Sequence, residues 1–311
     1  MLQTTNTILM VRPTHFRMNE QTAVNNHYQK EVVGISQNEL QLKAQQEFDI
    51  FVEKLIEIGV NVIVFNATDG LDTPDSHFPN NWISFHENGI VGLYPMFAEN
   101  RRLERREDVL FQLEKGGFKI ENIVDYTSAE DEHLFLEGTG SLLLDRVNRK
   151  AYCALSERAN EDLFIEFCEE FEFTPIVFTA NQTVDDQRTS IYHTNVMMCL
   201  GERFAVICLA AIDDKKERKN VIKHLKQDGK EIIDITEKQV NNFAGNMLQV
   251  KAKDNQLYTI MSQAAFDSLS QYQIATLEKY GKILSSSLNI IEACGGGSAR
   301  CMMAEVFLPK A

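Results

Sequence analysis

The sequence predicts an α/β fold of five similar units set around one axis, and three observations carry that prediction. Paired apolar runs joined by polar turns return along the chain at a spacing of roughly 50 to 60 residues. Helix-like stretches with apolar residues three and four positions apart fill the intervals between them. A unit of one hairpin and one helix cannot cover its own apolar face, so such units must pack on one another. A single domain over residues 1–311 follows, with two α/β domains and accidental hairpin likeness as the alternative.

Residues 39–58 carry the first helical spacing, and Asn81-Trp82-Ile83-Ser84-Phe85 turns through Glu87-Asn88-Gly89 into Ile90-Val91-Gly92-Leu93-Tyr94. The pattern repeats as Gly140-Ser141-Leu142-Leu143-Leu144 with Ala151-Tyr152-Cys153-Ala154-Leu155, followed by a helix over 161–171. Asn195-Val196-Met197-Met198-Cys199-Leu200 returns as Phe204-Ala205-Val206-Ile207-Cys208 before a helix over 215–226. Asn246-Met247-Leu248-Gln249-Val250 pairs with Leu257-Tyr258-Thr259-Ile260-Met261, and a helix over 264–280 comes next. Residues 298–308 supply a further strand.

A net charge of -14 argues against nucleic acid or an anionic membrane as the main partner. No apolar stretch reaches membrane-spanning length, and the N-terminus lacks a basic head followed by a long apolar run. The six cysteines show neither paired CxxC spacing nor scaffold density, so free thiols and a cytoplasmic setting are expected. No phosphate loop, dinucleotide fingerprint or HExxH motif is present, so no cofactor and no metal are expected. Self-association is left open.

Near the C-terminus, Cys294-Gly295-Gly296-Gly297-Ser298-Ala299-Arg300-Cys301 delivers a cysteine to the start of the last predicted strand. Glycines permit positive φ and close approach of backbone to a ligand, which suits a nucleophile in a shaped pocket. Free cysteine is also among the most buried residue types, so the run alone leaves catalysis and core packing open.

Four segments together resemble the pentein superfamily of guanidine-modifying enzymes: Pro74-Asp75-Ser76-His77-Phe78-Pro79-Asn80-Asn81, Glu137-Gly138-Thr139-Gly140-Ser141, His193-Thr194-Asn195, and Gly295 through Cys301. Their wording is most similar to the citrulline-utilisation hydrolase branch. The resemblance implies a five-bladed α/β propeller with Cys301 as nucleophile, His193 as proton carrier and Glu137 as the group orienting it. It also implies an amino-acid substrate held by Asp75, Asn80, Asn81, Asn195 and Arg158, with Arg101 or Arg102 at the substrate carboxylate. Without the resemblance, His193 reads as a structural histidine, and Arg105 and Arg106 read as a solvated helix face. His15, His27, His77, His86, His133 and His224 are expected to be surface or hydrogen-bonded residues.

Asn80, Asn81 and Asn195 stand where family members commonly carry carboxylates. Amides both donate and accept, whereas a buried guanidinium needs paired negative charge. The expectation is therefore a hydrolase of linear C–N bonds that converts citrulline to ornithine, carbon dioxide and ammonia. Arginine or methylarginine hydrolysis and amidino transfer are the enzymatic alternatives, and a non-catalytic pentein scaffold is the alternative of another class.

Overall fold

The computed structural model describes residues 2–68 and 70–310. Its backbone is organised as five three-stranded sheets of one design, plus a separate hairpin, Asn181–Val184 with Gln187–Ser190. In each sheet a short inner strand pairs antiparallel with a middle strand, and the middle strand pairs parallel with an outer one. The chain order supplies Ile83–Phe85, Ile90–Leu93 and Asn122–Asp125, then Leu142–Asp145, Lys150–Leu155 and Thr174–Thr179. Met198–Leu200, Phe204–Ile207 and Glu231–Asp234 follow, and then Leu248–Lys251, Leu257–Ser262 and Lys282–Ser286. The remaining sheet joins the two ends of the chain: Ala304–Glu305 pairs with Thr7–Arg12, which runs parallel to Asn61–Asn66. The sheets are small, and none closes on itself.

A parallel pair needs a crossover, and here one or two helices supply it. Gln37–Glu57, Glu107–Lys115, Glu161–Glu170 and Lys215–Gln227 each lie between a middle strand and its outer partner. Ser36, Asn160 and Asp214 start three of them by accepting backbone N–H bonds. The expected helix over 264–280 is two helices, Gln263–Ser268 and Gln271–Glu278. Ser270 breaks it, because its hydroxyl caps the second helix in a reciprocal box with Gln273 while Leu269 is extended.

The inner strands are buried along almost their whole length, while Asn61–Asn66 and Asn122–Asp125 are largely open to solvent. That gradient explains why the hairpins are legible and the outer strands are not: mixed polar and apolar residues on a half-exposed strand carry no clear period. Two further expectations are corrected. The last strand is confined to Ala304–Glu305, with Ala299–Met302 held in turns by bonds such as Cys301 N–H to Ser298 O at 3.0 Å. Asn81, Gly140 and Asn195 do not open strands directly; each sits in a single helical turn, Pro79–Asn81, Gly138–Ser141 or Thr194–Met197, that feeds the inner strand. All six cysteines are free, and among the described residues no helix is long and apolar enough to cross a membrane.

Candidate active site

Helical turns before the inner strands bring the predicted residues together, and the Gly138–Ser141 turn is their hub. The Thr139 carbonyl accepts from Asn195 Nδ2 at 3.4 Å, and that amide lies 3.5 Å from Cys301 Sγ. The Thr139 hydroxyl bridges Asn80, receiving its Nδ2–H at 3.3 Å and reaching its carbonyl at 3.2 Å. Gly140 has no room for a side chain. A Cβ there would lie 2.4 Å from Asn81 Nδ2 and 2.7 Å from His193 Nδ1. Asn81, Asn195 and His193 therefore converge on one buried turn, with Cys301 attached through Asn195. Cys301, His193, Glu137, Asn81 and Asn195 are all buried.

Electrostatics set the protonation of the pair. Glu137 Oε2 lies 2.7 Å from His193 Nε2, and its Oε1 accepts the Phe97 N–H at 3.0 Å. Burial pushes the Glu137 carboxyl up, but Arg158, His193 and Arg101 outweigh it and hold the group down at about 2. Burial lowers His193 to about 4, with Glu137 opposing the shift and the two arginines reinforcing it. At neutral pH, then, an ionised carboxylate faces a neutral imidazole. An acceptor-only group on Nε2 fixes the tautomer with hydrogen there and leaves Nδ1 as the free base.

The arginines separate cleanly. Arg101 is 2% exposed, and its fork is filled by Glu104, with Nε to Oε1 at 3.0 Å and Nη2 to Oε2 at 2.9 Å. Its Nη1 donates to Asn81 Oδ1 at 2.8 Å. Arg102 turns away, donating to the Met96 carbonyl and facing Glu130, so of the two expected carboxylate binders only Arg101 reaches the site. Arg158 is buried, stacks over Tyr192 with a centroid distance of 4.8 Å, and borders a cavity of about 320 Å³ with Asn25, Ser156 and Tyr192. Arg105 and Arg106 are not a free solvated face: Arg105 is partly buried against Glu130, and Arg106 pairs with Asp108.

Asp75 is buried between the N-terminal segment and Arg101. Its Oδ2 accepts from Asn19 at 2.7 Å and Thr22 at 3.1 Å, while Oδ1 has no partner. Asn80 Oδ1 and Asn81 Nδ2 are likewise buried without partners. His77 departs from expectation. It is wholly buried against Phe78 and Phe16 with no well-formed hydrogen bond at either ring nitrogen, and burial followed by Arg101 lowers it to about 3, against a weak opposing contact with the Pro74 backbone. Of the other histidines, His27 and His133 are exposed, and His86 is buried in contact with Ser84.

Five contributors escape the motif reading. Asn246 Nδ2 lies 3.2 Å from Cys301 Sγ. Its place before an inner strand, like that of Asn195, was the available signal. Glu104 occupies Arg101, and Asn19, Thr22 and Asn25 cover Asp75 and Arg158 from a segment with no recognisable period. The glycine run does not approach a strand directly. A π-turn, Ile291–Gly295, ends at Gly296 with φ 63°, and its carbonyl accepts the Tyr192 hydroxyl at 2.6 Å.

A profile of the family described as N,N dimethylarginine dimethylhydrolase, eukaryotic, matches residues 12–308. The chain belongs to this family, in accord with the pentein resemblance of its motifs. Among solved structures it is similar to ArgZ, an arginine dihydrolase from the ornithine-ammonia cycle in cyanobacteria, at 18% identity and TM-score 0.72. It is also similar to a variant of AgrE in complex with L-arginine, at 19% identity and TM-score 0.74. These matches cover 98% of this chain but 41% of ArgZ and 40% of AgrE, so the chain spans about two fifths of either. A dimethylarginine dimethylaminohydrolase adduct with S-methyl-L-thiocitrulline matches at 11% identity and TM-score 0.64, covering 97% of this chain and all of that one. At these identities the structural likeness is one of fold. No curated protein sequence matches the chain.

Proposed function

We propose that the chain hydrolyses the side chain of a ureido or guanidino amino acid, that citrulline is its preferred substrate, and that ornithine, carbon dioxide and ammonia are the products. One observation carries the choice of substrate. Arg101 has only hydrogens to offer, so Asn81 must turn Oδ1 toward it and present Nδ2 as an unpartnered buried donor beside His193. A ureido carbonyl accepts that N–H. A guanidinium, carrying donors alone, leaves it unmatched.

The residues then take defined roles. His193 Nδ1 removes the Cys301 proton, and Glu137 stabilises the imidazolium that forms. The sulfur adds to the ureido carbon; its collapse expels the terminal nitrogen, which leaves as ammonia with the proton from His193. Water activated by the neutral ring hydrolyses the thiocarbamate, returning the thiol and a carbamate that loses carbon dioxide to give ornithine. Asp75 Oδ1 suits the substrate amine. Arg158 borders the cavity and offers Nη1 to the substrate carboxylate, because its own Nε and Nη2 donate to Asn25 and Thr22 and the Arg101 fork is filled by Glu104. The same reading makes the chain one cytoplasmic domain with its five sheets arranged as blades about this site. The order of contacts between neighbouring inner strands supports that arrangement.

Arginine is the second reading, favoured by the family description and by the L-arginine complex of AgrE. Purified protein assayed for ornithine and ammonia decides between them, with citrulline, arginine and dimethylarginine in parallel. Citrulline should be turned over fastest and Cys301→Ser should abolish turnover. Faster arginine than citrulline hydrolysis overturns the asparagine argument.

A further inference from the structure

We propose that Asn246 is a catalytic residue whose fixed N–H stabilises the Cys301 sulfur as it loses its proton and attacks. The inference rests on the reading of Cys301 as the nucleophile. Cys301 lies in an apolar cluster with Phe78, Ala299 and Met302, where an anionic sulfur finds little solvation. Two amides reach it, and they are not equivalent.

Asn195 presents both ends of its amide to the sulfur, Nδ2 at 3.5 Å and Oδ1 at 3.7 Å, so its contact does not distinguish thiol from thiolate. Asn246 has no such freedom. Its Oδ1 accepts the Arg300 backbone N–H at 3.0 Å, and a backbone N–H can only donate. Nδ2 must then face the other way, toward the Asn195 carbonyl at 2.9 Å and Cys301 Sγ at 3.2 Å. The side chain is fully buried, and each of its polar atoms is committed to these partners. An N–H is thus fixed on the sulfur before substrate arrives, and a hydrogen bond to the charged form favours that form. Asn246 also ties the nucleophile turn to the Thr194–Met197 turn that carries Asn195, so sulfur and amides are placed by the same bonds.

Asn246→Asp tests this, because the new side chain has the same shape and still accepts from Arg300 while the N–H facing the sulfur is gone. Asn246→Leu, which removes the same N–H without adding a charge, must show the same fall if the N–H and not charge repulsion is responsible. The measurement is the pH dependence of Cys301 carbamidomethylation by iodoacetamide, followed by mass spectrometry with the other five cysteines as internal references. At pH 7 the rate should fall about ten- to hundredfold, the worth of a hydrogen bond to a charged group, and the midpoint of the profile should move up. Asn246→Ser, which keeps a donor, should recover part of the loss. An Asn246→Asp profile within about twofold of wild type overturns the proposal. Should none of these variants fold, the Asn246 side-chain amide signal of the wild-type protein must shift along the same pH profile and lose that response once Cys301 is alkylated; an unresponsive signal also overturns it. Turnover by Cys301→Ser removes the underlying nucleophile reading instead, so the two failures are distinguishable.

Discussion

On the proposed reading, replacing the buried neutral amide of Asn81 by a carboxylate, Asn81→Asp, should invert the preference between citrulline and arginine. The geometry sets the size of the effect. Arg101 Nη1 is 2.8 Å from Asn81 Oδ1 and keeps that partner in the variant, so the second oxygen takes the position now held by Nδ2. For citrulline, a donor is lost and two buried acceptors face each other, which costs about 2 kcal/mol. For arginine, a charge-assisted bond to a guanidinium N–H contributes about 2 kcal/mol. The sum of about 4 kcal/mol corresponds to a change of about a thousandfold in the ratio of kcat/KM for the two substrates. The assay is steady-state ammonia release from each substrate, with ornithine and citrulline resolved chromatographically. An unchanged ratio in a folded variant would show that Asn81 does not read the ureido carbonyl, and the donor argument would fall with it.

Gly140→Ala places a methyl group where Asn81 Nδ2 and His193 Nδ1 already crowd the backbone. Overpacking of about 1–3 kcal/mol and a loss of kcat of about a hundredfold are expected, measured by urea unfolding and turnover. His77→Phe should remove a pH-dependent penalty. Because burial holds the folded-state ring at about 3 against an ordinary 6.5, the neutral ring's contribution is complete above pH 6.5 and is lost as pH falls through the window down to 3. Between pH 7.5 and 5 that loss is about 2 kcal/mol, so urea melts should show a drop smaller by about that amount in the variant, and an equal drop in both proteins contradicts the assignment. Arg158→Lys should raise KM by about tenfold with a smaller change in kcat, since an ammonium lacks the planar fork that suits a carboxylate.

The residues in the four motifs were visible by type, but which partners each of them meets was not. Asn80 and Asn81 read as equivalent substrate amides. In the fold Asn80 spends its N–H on Thr139, while Arg101 orients Asn81 so that its donor remains free. Arg101 and Arg102 are adjacent in the chain and indistinguishable by composition. A short helix, Glu99–Arg102, rotates one inward onto Glu104 and the other toward Glu130. His77 carried no strand-start signal and read as ordinary, yet packing against Phe16 and Phe78 leaves its nitrogens without a well-formed hydrogen bond.

The sequence by itself determined the repeating hairpins, most of the crossover helices, and the four separate segments that carry Asn81, Glu137, His193 and Cys301. Those features are local: apolar period, capping residues and glycine placement act within a few residues, and the chain records them directly. Only the tertiary structure decided which of these groups meet and in what state. Cys301 and Asn195 stand 106 positions apart, and the 3.5 Å between sulfur and amide follows from how the sheets pack. The same packing removes water from Glu137 and His193 and surrounds them with Arg101 and Arg158, and that environment makes an ordinary carboxylate and imidazole into an ionised acceptor and a neutral base.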